Sequence, residues 1–139
     1  MTLYTSDTDN TKLWLRRALV FTSVSLFLAL FGAVYEMFSH GVYSYSMIYA
    51  FAYPLVLGAF PSIIMAMLSR PCKDSVAFDL YVFAIAFATV GSLIDGVLEI
   101  YGTSNRYMVI FNVVSVLLLA ASVILWIVKR IRHRKTDGN

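Results

Sequence analysis

Four ionisable residues stand where chemistry could occur: Glu36 with His40, and Asp95 with Glu99. Each pair is separated by four positions, which stacks the two side chains one turn apart on a single helix face. Glu–His and Asp–Glu pairs at this spacing could ligate a divalent ion such as Zn²⁺, Mn²⁺ or Fe²⁺. Glu36, His40, Asp95 and Glu99 are therefore the candidate metal ligands, and a divalent metal ion is the one cofactor the sequence proposes. The same set could serve a proton or a cationic small ligand. Three carboxylates drawn together repel, so one of them must hold a proton or share a cation. His40 could act as a neutral ligand or as a charge near neutral pH. Asn112, Tyr43 and Tyr101 complete the candidate ligand set, the phenols as a cation–π rim.

Positioning these residues is the task of the elements around them. The chain has 139 residues, 60% hydrophobic and only 14% charged, with a mean hydropathy of +0.76. A soluble domain carries roughly 25% charged residues, so these charges are too few to coat a globule. Disorder is excluded by the same composition, with 15% aromatics, since disordered chains lack aromatic and aliphatic residues. One cysteine cannot form an internal disulfide. The composition points to an integral membrane protein. A membrane-crossing helix takes about 20 mostly apolar residues, and four stretches qualify: 18–38, 47–68, 76–100 and 107–128. The connections at 39–46, 69–75 and 101–106 are short, so neighbouring spans run antiparallel. The expected fold is all-α: a compact four-helix transmembrane bundle occupying residues 13–131.

Orientation follows from charge. Of the 11 Lys and Arg residues, only Arg106 falls in the first or third connection. The positive-inside rule then places both termini and the middle connection in the cytoplasm, in a plasma-membrane protein. Residues 1–12 are expected to form a disordered cytoplasmic lead-in, and 132–139 a basic cytoplasmic tail. The first apolar run is longer than a signal-peptide core and lacks a small-residue cleavage site, so it is expected to be retained. Antiparallel threading would bring Glu36, His40, Asp95 and Glu99 to one outward-facing end.

Small residues mark where helices meet in lipid. Ala84, Ala88, Ser92 and Gly96 recur at intervals of four and form a packing ridge. Ser25, Ala29 and Gly32 or Ala33 form a second. Both ridges offer routes to self-association or to a larger membrane-protein partner. In the second span, Pro54, Gly58 and Pro61 predict a break, because each proline removes a backbone donor. Cys72 would sit at the inner membrane surface.

Absences narrow the chemistry. There is no Gly-rich phosphate loop, HExxH or Gly-x-Ser-x-Gly pattern, and paired intramembrane histidines for haem are missing. No catalytic residue is assigned, and a non-enzyme is expected. The basic tail is accounted for by topology and lipid contact, without nucleic acid. The leading expectation is transport-related binding of a cation, proton or cationic ligand in an acidic and aromatic pocket. The alternative is a non-catalytic accessory, assembly or immunity-type protein that holds a partner. On that reading Arg106 would neutralise Asp95 or Glu99, and the tyrosines would form an interfacial belt.

Overall fold

The computed structural model describes residues 3–38, 41, 43–68, 70, 76–103 and 106–136, and every element among them is helical. Cys72 lies outside the described residues. Four helices are long and apolar enough to span a membrane: Thr8–Phe38, Tyr45–Met67, Val76–Ile100 and Arg106–Arg132.

The first helix, α1, covers Leu3–Phe38. Most of the segment expected to be a disordered lead-in is therefore helical. Extending a helix already nucleated by its apolar part adds one hydrogen bond per residue, which is far easier than starting one. The same reasoning applies at the other end, where α5, Val109–Thr136, continues into the basic tail.

The second span is assembled from three pieces. α2 is a short helix at Tyr45–Tyr49, followed by a π-helical segment at Tyr53–Ala59 and by α3 at Phe60–Met67. The expected break at Pro54, Gly58 and Pro61 thus takes the form of a widened helix. Within it the Phe60 N–H reaches back five residues to the Leu55 carbonyl. Pro61 has no N–H for the carbonyl of Leu57, four residues earlier. The Tyr81 hydroxyl, on the neighbouring helix, donates to that carbonyl at 2.5 Å. Tyr81→Phe is expected to lower stability by about 1–3 kcal/mol, the cost of leaving a buried acceptor unsatisfied. Adding Pro61→Ala restores a backbone donor and should recover most of that loss in a detergent melting series.

α4 covers Val76–Ile100, the span read from hydropathy. Gly102 ends it with φ of 70°, the left-handed conformation that glycine adopts without penalty. Gly102 N–H then bonds to the Glu99 carbonyl and Thr103 N–H to the Leu98 carbonyl, the pattern of a Schellman cap. A 3₁₀ turn at Arg106–Met108 leads into α5.

Side-chain contacts fix the antiparallel threading. Trp14 Nε1 donates to the Arg70 carbonyl at 2.9 Å, which brings the start of α1 to the end of the second span. Ser122 and Ser115 on α5 donate to the carbonyls of Ala77 and Ala84 on α4. The helix pairings run in chain order: α1 on the second span, the second span on α4, and α4 on α5. The four helices expected from the spans are all present, and Trp14 on α1 also meets Phe78 on α4 edge to face. The interfaces are built from small buried residues, among them Ser25, Ala59, Ser62, Ala84 and Ala88, which let backbones approach closely. The α4 ridge is used inside the chain, Ala84 facing Ser115 and Gly96 facing Met47. That part of the ridge packs within the chain.

Candidate functional site

The site begins with the segment between the first two spans, which the sequence presents as a simple connection. Ser44 has extended backbone, and its Oγ accepts from Met47 N–H at 3.3 Å. This is an N-cap, and it turns Tyr45–Tyr49 into the helix α2. Met47 on that helix is only 1% exposed and Ala50 is fully buried.

Two glycines make room for Met47. A side chain at Gly96 would meet Met47 Cβ at 2.6 Å and its backbone nitrogen at 2.8 Å. On α1, a Cβ at Gly32 would lie 3.6 Å from the Met47 carbonyl oxygen. Of the two candidates for that ridge, Gly32 is buried and Ala33 is exposed. α2 is thus wedged between α1 and α4. Ser92 Oγ donates to the Ser46 carbonyl at 2.5 Å and locks its far side.

The wedge brings its serines to the two acids that flank Gly96. Ser44 Oγ donates to Glu99 Oε2 at 2.5 Å. Ser46 Oγ lies 3.1 Å from Asp95 Oδ2 and 3.3 Å from Glu99 Oε1. Asp95 and Glu99 therefore share a single hydroxyl. An acid in the last turn of a helix faces the negative end of the dipole, at a cost of roughly 0.3–1 kcal/mol. The two serine hydroxyls offset this cost at Glu99.

The remaining candidates are distributed differently. Glu36 is half-buried one turn beyond Gly32. Tyr43 and Tyr101 are exposed. Asn112 is exposed beside Phe111, the residue that packs on Gly91. His40 lies outside the described residues. Among the described residues, no three His, Cys, Asp or Glu side chains converge to hold a metal ion. Arg106 is exposed, and among the described residues no ion pair ties it to either acid.

Sequence reasoning missed Ser44, Ser46 and Met47. A weak signal was present, since a serine immediately before a largely apolar segment is an N-cap pattern. What the sequence lacked was any sign that a helix this short would be held in place by others. The space expected to be an open pocket is filled by α2, and the acids form a polar seam along it.

No family model matches the chain, and no curated protein or solved structure matches it either.

Proposed function

We propose that this chain is a small four-span membrane protein whose serine–carboxylate seam binds a proton or a cation in a transport-related role. Both termini and the basic middle connection would face the cytoplasm of a plasma-membrane protein. The segregation of Lys and Arg to one end supports this orientation.

The observation that carries the reading is the shared Ser46 hydroxyl, set between Asp95 and Glu99 at 3.1 and 3.3 Å. A hydroxyl has one proton to donate. Ser44 donates its own to Glu99, so two hydroxyl protons serve three carboxylate contacts. A proton carried by one acid, or a small cation between them, completes the third contact and relieves the repulsion. Ionisable groups within a span are costly and mark such sites by default.

The test is infrared difference spectroscopy on reconstituted protein while pH is stepped from acidic to alkaline. Asp95→Asn together with Glu99→Gln should remove the part of the carboxyl signal that belongs to these two acids, while the bands of the other six acids remain. Proteoliposomes carrying the same pair of substitutions should lose proton- or cation-coupled flux. Carboxyl spectra and flux that are identical in wild type and variant sink the proposal.

One observation favours the accessory reading. α5 pairs with α4 and leaves Val113, Val116, Leu117 and Ile124 exposed. A partner helix could cover this face as readily as lipid does. Mild-detergent extraction followed by native mass measurement decides between them: a stoichiometric second protein supports an accessory role.

A further inference from the structure

The last span is the least covered of the four. Only 11% of its apolar stretch is buried within the chain, against 22–33% in the others. Its packing partner is α4, which it meets through Ser115 and Ser122. About a third of a turn round the same helix runs a second stripe. Val109, Asn112, Val116, Ala120, Val123 and Ile127 recur at intervals of three or four, and all six are exposed. Five of them are apolar. The sixth carries a primary amide.

Asn112 is the feature that lipid leaves unexplained. It lies roughly 9 Å along the helix from Arg106, at the start of the span. Among the described residues its amide makes no hydrogen bond. Acyl chains cover valines well but offer an amide neither a donor nor an acceptor. Amides in spans find those groups on another helix, and this drives helix association.

We propose that the partner is a second copy of this chain, paired through α5 about a two-fold axis along the membrane normal. All copies enter the bilayer with one orientation, so equal positions lie at equal depth and Asn112 faces Asn112. The partial charges of an amide complement those of its own copy. Each oxygen accepts from the opposite NH₂ group, so both amides are satisfied by one pairing. The rest of the stripe suits close contact. Ala120 lets the backbones approach, and the valines have nearly fixed rotamers in a helix, so little freedom is lost on packing. Basic residues beyond Val128 meet in water, where salt screens their repulsion. The inference rests on the four-span reading above, but not on the serine–carboxylate seam.

Full-length protein is labelled with donor or acceptor dyes at its single cysteine, Cys72, and the two pools are mixed in liposomes. Energy transfer is followed as lipid dilutes the protein. Asn112→Val should raise the dissociation constant about tenfold, the loss of two interhelical hydrogen bonds. Asn112→Gln keeps an amide and should stay within about threefold of wild type. Asn112 is exposed, so neither substitution disturbs a packed interface within the chain. A second measurement leaves Asn112 intact. In a Cys72→Ser background, Val116→Cys should give a disulfide-linked dimer on oxidation. Ile110→Cys, exposed on another face of α5, should not. Absence of energy transfer in the wild type overturns the proposal, as does an Asn112→Val titration that matches wild type. Equal cross-linking at Val116 and Ile110 also overturns it, and so does a stoichiometric different protein recovered in place of the dimer.

Discussion

Gly96→Leu is expected to push α2 off α4 and dismantle the serine–carboxylate seam. The first atom of any side chain at this position would stand 2.6 Å from Met47 Cβ and 2.8 Å from Met47 N. A backbone nitrogen cannot rotate aside as a side-chain tip can, so the whole short helix must move. Overpacking of this kind costs typically about 1–3 kcal/mol, and more where backbone must shift. Leucine should lie at or above the upper end. The contrast with Gly32 makes the prediction specific. Its nearest neighbour would be the Met47 carbonyl oxygen at 3.6 Å, an ordinary contact. Gly32→Ala should therefore change stability by no more than about 0.5 kcal/mol. Melting curves in detergent compare the two. Infrared carboxyl bands report whether Asp95 and Glu99 have lost Ser44 and Ser46. Equal tolerance at both glycines would mean that α2 is not seated as described.

Met47→Ala approaches the same wedge from the opposite direction. Met47 is 1% exposed and stands between α1 and α4, so truncation opens a void that its neighbours cannot readily close. Loss of a buried methionine costs about 2–5 kcal/mol. Met47→Leu conserves volume and should cost less than about 1.5 kcal/mol. The two substitutions should also differ at the seam. Ser44 and Ser46 are held by the same five-residue helix, so a loosened α2 should weaken proton or cation binding together with stability. If Met47→Ala melts early yet keeps wild-type carboxyl spectra, the seam is held by Ser92 and the N-cap without help from Met47.

The shape of the candidate site was partly legible in the residues. Asp95 and Glu99 share a helix face by their spacing alone, and the Schellman cap at Gly102 keeps them in the last turns of α4. Their juxtaposition with Ser44 and Ser46 was not legible. Two of the contacts span 55 and 49 residues of sequence, and periodicity carries no information at that range. Glu36 shows the converse. Topology predicts that it reaches the same end as the α4 acids. The space between α1 and α4, however, is taken by α2.

Length, hydropathy and charge placement determine by themselves that this chain has four membrane-length helices with nearly all its basic residues gathered at one end. They do so because each depends only on local composition: the energetic cost of exposing apolar surface to water, or basic groups to lipid, is summed residue by residue along a span. Pro54 and Pro61 likewise announce a disturbed helix, since a missing N–H is a property of the residue. Only the tertiary structure decides that the disturbance is a π-helical segment with Tyr81 on the Leu57 carbonyl. It alone decides that a connecting loop becomes the wedge joining two acids through one hydroxyl. These outcomes turn on which small residues let which backbones approach, and steric fit between distant segments cannot be read from either segment alone.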